Sequence, residues 1–150
     1  MSLRVSTSGT PLEVISLAKA KQWLNIDFSD WDSLIQDLIN ASIVRSQQVS
    51  GSAYWPVTVT VTGNTAKEYL YPIEPVTALL PDPESEEEYK SYTYEAGYAQ
   101  DEVPDDLKRA ILQRVATGFN ERQNGYEKSL NKATETSLMI EISYRKDLYL

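Results

Sequence analysis

The sequence contains neither cysteine nor histidine. Disulfide frameworks, thiolate zinc sites, cysteine nucleophiles and every catalytic triad with an imidazole base are thereby excluded. Glycine is sparse, and its six positions, 9, 51, 63, 97, 118 and 125, lie too far apart for a phosphate-binding loop. Positive charge is short as well: 14 Lys and Arg stand against 22 Asp and Glu, a net charge of −8 with a pI near 4.6. Non-specific affinity for nucleic acid comes from clustered cations that displace counterions, so this chain is no general DNA clamp. No apolar run approaches the roughly 18–20 residues that span a bilayer. Met1–Thr10 also lacks the apolar stretch of a secretory signal. These absences lead us to expect a soluble protein made in the cytoplasm.

What is present is ordinary globular composition, 41% hydrophobic and 24% charged over 150 residues, far from the mix of a disordered chain. A chain of this size buries roughly two-thirds of its unfolded surface, and one core suffices. The opening string MSLRVSTSGT is small and polar, and Gly9 and Pro11 punctuate it. We expect residues 1–14 to be a flexible arm and residues 15–150 a single domain.

Three helices are legible. Ser16 suits the N-cap of a short helix to Asn25, with Leu17, Ala20 and Leu24 on one face and Trp23 beside them. Ser29 and Asp30 offer a second cap, and Asp32 in the first turn complements the helix dipole. The helix that follows carries Trp31, Leu34, Ile35, Leu38, Ile39, Ser42 and Val49 near one stripe, with Asp37, Asn40, Arg45 and Gln48 outside it, and stops near Gly51. Pro104 can open a third helix without its missing N–H, and Asp105 and Asp106 favour the positive end of the dipole. Its buried stripe reads Leu107, Ala110, Ile111, Val115, Gly118 and Phe119, and it ends before Asn124 and Gly125.

Between the second and third helices the period becomes 2. Val57, Val59 and Val61 alternate with Thr58, Thr60 and Thr62, the clearest strand in the chain. Gly63 and Asn64 read as a turn, after which Lys67–Tyr71 returns as the second arm of a hairpin that Pro72 and Pro75 end. Val76–Leu80 is a weaker strand. Pro81–Glu88 holds two prolines and five acids and reads as an exposed loop. Tyr89–Glu95 resumes alternation with Tyr92 and Tyr94 on one face, until Gly97 supplies a position tolerant of positive φ. Near the C-terminus Leu138, Ile140 and Ile142 alternate with Met139, Glu141 and Ser143, which favours a terminal strand over a short helix.

Carboxylates are the only chemically active groups in quantity. Asp30 with Asp32, or Asp105 with Asp106, could hold a hard cation through oxygen, but both pairs sit at helix starts, where capping and the dipole already account for acids. Arg109, Arg114 and Arg122 are spread around the third helix among acids, which suits surface or interface contacts better than a basic patch. Ten tyrosines and three tryptophans exceed the needs of a core this size, and Tyr54, Trp55, Tyr69 and Tyr71 crowd the hairpin region. Partial burial is the default for these rings, and a protein-protein patch is the alternative.

Several strings, in order, resemble the head-tail connector (head-completion adaptor) proteins of long-tailed phages and prophages. ISLAKAKQWLNID at Ile15–Asp27 is similar to that family's opening helix and DWDSLIQDLINAS at Asp30–Ser42 to its second. More telling is Tyr94–Gln123. There Ala96, Gly97 and Tyr98 end a strand, Val103, Pro104, Asp105, Asp106, Leu107 and Lys108 open a helix, and Phe119 and Arg122 close it. Similarity is weak over Glu68–Tyr89 and loose in SLMIEISYRKDLYL.

The resemblance implies an α+β, mainly helical subunit, with three principal helices near 16–25, 30–50 and 104–123 and a β-hairpin or small antiparallel sheet. Its implied work is structural: copies form a ring between portal and tail that extends the DNA channel during head completion. The implied partners are further copies of the chain, the portal protein and a tail or head-closure protein. DNA passes without specific binding, no membrane is involved, and the chain resides in the host bacterial cytoplasm during assembly and then in the virion. No catalytic residue, cofactor or metal is expected. Glu86, Glu87, Glu88, Asp101 and Glu102 are candidates for the lumen or a partner surface, and Tyr54, Trp55, Tyr69, Tyr71 and Arg122 for the subunit interface. Two other readings compete. One is a carboxylate-dependent, Mg-assisted enzyme, which needs acids from separate elements to converge. The other is a tyrosine-rich interaction module unrelated to phage.

Overall fold

Alternating valines and threonines place β-branched side chains on both faces of an extended chain, and in the computed structural model this run becomes the centre of a sheet. Residues 4–64, 73–79, 89–124 and 129–144 are described. Four strands, β1 (Arg4–Ser8), β2 (Val57–Asn64), β3 (Val76–Leu79) and β4 (Tyr89–Ala96), make an antiparallel sheet in the order β1-β2-β4-β3. Four helices accompany them: α1 (Leu17–Leu24), α2 (Asp32–Ser50), α3 (Asp105–Asn124) and α4 (Ser129–Ile142). This is the mainly helical α+β class that the sequence and the resemblance led us to expect.

The chain divides into two compact units, Met1–Leu12 with Gly51–Glu102, and Glu13–Ser50 with Val103–Leu150. In the first unit Val57, Val59 and Val61 of β2 pack with Tyr94 and Ala96 of β4 and with Ala53, while Trp55, Ile73 and Tyr92 lie against that core. Val59 pairs with Tyr94 and Val61 with Tyr92, so the two period-2 patterns put their large side chains on one face. The Tyr92 and Tyr94 rings stack at 6.4 Å. The Tyr94 hydroxyl accepts from the Ile73 N–H and donates to the Ile73 carbonyl, both at 2.9 Å, which ties the segment before β3 to the core. Gly97 ends β4 at φ +106°, and a Cβ there would meet the Trp55 carbonyl oxygen, so only glycine fits.

Two expectations are corrected in this unit. Arg4–Ser8, placed by sequence in the flexible arm, pair residue by residue with Ser8↔Thr58 through Arg4↔Thr62. All five side chains are exposed, so no apolar pattern announces β1; backbone pairing alone makes it a strand. Gly63 and Asn64, read as a turn, continue β2 and pair with Lys90 and Tyr89, because β4 supplies hydrogen-bonding backbone to that point. Residues 67–71, expected as the second hairpin arm, and the acidic loop 81–88 lie outside the described residues.

In the second unit the expected cap of α1 and stripe of α3 hold, while α2 starts later and buries Ile43, Ser46 and Ser50 in place of Val49. Ser16 Oγ accepts the Lys19 N–H at 3.1 Å, and Asn25 closes α1 in the left-handed region at φ 60°. α2 begins at Asp32, later than Ser29 and Asp30 would cap it, and Asp32 pairs with Lys21 of α1 at 2.8 Å. Ile35, Ile39, Ser42, Ile43, Ser46 and Ser50 are its buried residues. The Pro104 carbonyl accepts the Lys108 N–H at 3.1 Å as α3 opens, and Leu107, Ala110, Ile111, Val115 and Phe119 are buried. A Cβ on Gly118 would come within 2.9 Å of Leu38 Cδ2, so the glycine allows close approach of α2. Rings link the helices: Phe28 meets Trp31 edge-on at 5.1 Å, and Trp31 meets Phe119 at 5.3 Å.

The largest correction is near the C-terminus, where Leu138–Ile142 of the expected strand lie in the second half of α4 and Ser143 in the turn after it. Alternation would put Leu138, Ile140 and Ile142 on one face, but the side chains held inward are Ser137 and Glu141, four apart and therefore on one helical face.

Candidate functional site

No described helix is long and apolar enough to cross a membrane, and no group of three or more acids among the described residues is placed to hold a metal ion. Asp32 is committed to Lys21, and Asp106 accepts both the Leu107 N–H at 2.9 Å and the Tyr144 hydroxyl at 2.6 Å. One acid of each pair considered for a cation, Asp32 and Asp106, therefore has a structural partner.

α4 lies against α3 through polar groups. Arg114 Nε donates to Glu141 Oε1 at 2.6 Å and Nη2 donates to Oε2 at 2.5 Å, a bidentate pair in which the carboxylate is wholly buried. Fork-on-fork geometry restrains rotation of both side chains as well as their separation. One turn away, Ser137 Oγ lies 3.3 Å from the Ala110 carbonyl and 3.1 Å from Gln113 Oε1. The Tyr144–Asp106 hydrogen bond adds a third tie at the beginning of α3. With these groups turned inward, the opposite side of the same turns carries Met139 and Ile142, 74% and 40% exposed. A solvated helix normally shows the reverse arrangement.

Elsewhere in this unit Trp23 of α1 and Phe28 in the connection to α2 are each 43% exposed, and Val44 of α2 is 53% exposed. Exposed acids Asp27 and Asp30 flank Phe28 in sequence.

The residues singled out by sequence are placed as follows. Asp101 and Glu102 are both exposed in the turn before α3, where Asp101 adopts φ 62° and the Glu102 N–H donates to the Ala99 carbonyl at 3.1 Å. Glu86, Glu87, Glu88, Tyr69 and Tyr71 lie outside the described residues. Arg122 sits in the last turns of α3. Tyr54 is 1% exposed, and its ring faces Tyr98 at 6.5 Å. It is thus a core residue of its own subunit and leaves a neighbour nothing to touch, while Trp55 packs half-buried against the sheet core. Arg114, read by sequence as suited to surface or interface contacts, is instead the mostly buried partner of Glu141 within the subunit. Sequence reasoning missed this pair and the apolar outer face of α4 together, because both depend on α4 being a helix. The one signal available was the four-residue spacing of Ser137 and Glu141 within an otherwise apolar run.

Comparison with known proteins agrees with this architecture. The model of the family described as phage gp6-like head-tail connector protein matches residues 14–150. No curated protein matches by sequence. Among solved structures, a chain of the virion of a native gene transfer agent particle superposes with a TM-score of 0.64 at 15% identity, covering 95% of this chain and 94% of that one. A chain from the neck of an empty gene transfer agent particle, computed with C6 symmetry, gives a TM-score of 0.61 at 16% identity with the same coverage. At such identities the likeness is one of fold.

Proposed function

The chain belongs to the phage gp6-like head-tail connector family, and from that premise we propose that it is a structural ring subunit, placed between portal and tail, that lengthens the channel through which DNA leaves the head. The observation that carries the reading is the family match across residues 14–150. The fold shared with gene transfer agent neck and virion chains supports it. Its work is binding, with no bond made or broken by its side chains. A closed ring requires a heterologous contact, in which one patch of each subunit meets a different patch of the next.

The partners on this reading are further copies, a portal protein on one side and a tail or head-closure protein on the other. DNA is cargo: a net charge of −8 gives passing phosphates a wall to which they do not adhere. The exposed pair Asp101 and Glu102, and the acidic run Glu86, Glu87 and Glu88, are our candidates for the lumen or the portal contact, and the protein ends in the virion. Negative-stain microscopy of the protein mixed with its cognate portal tests the proposal. We expect a ring of density added at the portal's tail-facing end, and portal particles without added density at saturating protein would refute it.

A further inference from the structure

We infer that neighbouring copies of this chain join edge to edge, β1 of one copy pairing antiparallel with β3 of the next, so that the sheet continues from subunit to subunit. The inference rests on the ring reading above and assigns that ring its contact. It starts from the two ends of the sheet. In the order β1-β2-β4-β3, β1 and β3 each pair on one side only among the described residues. Alternate residues of an edge strand turn N–H and C=O groups away from the sheet, where a further strand can satisfy them. Natural sheets commonly block such an edge with lysine, proline or an inward charge. RVSTS of β1 and VTAL of β3 contain no acid, lysine or proline, and Arg4 is their one charge.

Direction selects what fits there. Every neighbouring pair in the sheet is antiparallel, and three reversals leave β1 and β3 running in opposite senses. β3 of a second copy therefore meets β1 antiparallel and continues the alternation. This contact is heterologous, as a closed ring requires, whereas β1 against β1 would close a two-fold dimer and end growth.

The faces match as well. Val5 opposes Val61, Leu79 opposes Tyr94 and Val76 opposes Ala96, so all three edge residues lie on the face whose middle is the buried core of the unit. Yet Val5 is 38% and Leu79 64% exposed, and Val76 is exposed with them. The apolar face thus runs out to both edges of the sheet. Setting Val5 against Leu79, Ser6 against Ala78 and Thr7 against Val76 repeats the register in which β4 already meets β3, including its skip over Thr77. Val5 and Leu79 then form a cross-strand apolar pair. A second copy is the occupant because one chain carries both halves of the match: opposite direction, strands of five and four residues, and exposed apolar side chains on the same face.

The chain has no cysteine of its own, so V5C/L79C places one thiol on each edge. Within one chain three strand spacings hold these positions at least roughly 14 Å apart, beyond the roughly 7 Å that a disulfide can bridge, and oxidation can link only different copies. The double variant, each single variant and the unmodified protein are mixed with portal, oxidised and run on non-reducing denaturing gels. We expect a ladder from the double variant that reductant removes, and monomer from each single variant. In a second arm, amide hydrogen exchange of the unmodified protein should slow at residues 4–8 and 76–79 when free subunits enter rings. Dimers from V5C or L79C alone, rings of the double variant without a ladder, or exchange at either strand as fast in rings as in free protein would overturn the edge contact while leaving the connector reading in place. If the double variant makes no rings, the exchange arm decides alone. Absence of rings from the unmodified protein would refute the connector reading, and this inference with it.

Discussion

A guanidinium faces a fully buried carboxylate in the Arg114–Glu141 pair, and the value of that pair lies in what its absence would leave behind. Removing one partner strands the other charge without water. We therefore expect R114A to destabilise the protein by about 3–5 kcal/mol, read from the midpoint of urea denaturation. R114M/E141L, which replaces the pair with apolar groups of similar size, should recover most of that loss. A cost for R114A below about 1 kcal/mol would show that water reaches Glu141 and that the pair behaves like a surface bridge. Nothing at the residue scale in sequence announces this pair, since 27 positions separate the partners and Arg114 has acids nearer along the chain. The Tyr54 ring illustrates the same limit: a tyrosine reads equally as core or interface until its surroundings are known.

Elements follow their local signals where those signals are self-contained. Ser16 caps α1 because a hydroxyl one residue before a helix satisfies an N–H that the helix itself cannot. We expect S16A to cost about 1 kcal/mol, measured by thermal unfolding followed by circular dichroism, with no change in assembly. β2, β4, α2 and α3 were legible for the same reason, each declaring its period within its own residues. β1 and α4 were not. β1 has no buried side chain to set a pattern, and its pairing with β2 is a contact between residues 50 to 58 positions apart. α4 carries an alternating apolar run that argues for a strand, and the polar row on α3 overrides it by offering partners to Ser137 and Glu141. Gly63 and Asn64 show the converse, a turn signal overruled by backbone pairing with β4.

At the scale of the whole molecule charge decides which partners can approach. Along a ring lumen, acids repel duplex phosphates over about 8 Å at physiological salt, enough to keep DNA from adhering and too short to hinder its entry. D101K/E102K alters two exposed positions and should fold with a loss of about 1 kcal/mol, because Lys suits the φ 62° of position 101 less well than Asp. We expect particles carrying it to eject DNA more slowly, with the difference shrinking as salt rises. Unchanged ejection kinetics at low salt would remove these two residues from the channel wall. The same negative balance constrains ring closure, because subunits that repel at long range must associate through patches where charge is locally absent or complementary.

The amino-acid sequence by itself excluded particular chemistries: without cysteine, histidine or a glycine-rich loop it holds no thiolate, imidazole or phosphate-loop site. Its local periods placed three helices and the central strands, and its ordered strings pointed to the connector family. Only the tertiary structure decided which face of the last helix looks outward, that Arg4–Ser8 form an edge strand, and that Tyr54 belongs to the core. The physical reason is range. Caps and hydrophobic periods act between residues a few positions apart and are written in consecutive letters, whereas an ion pair, a sheet edge and an exposed face depend on groups brought together from distant parts of the chain.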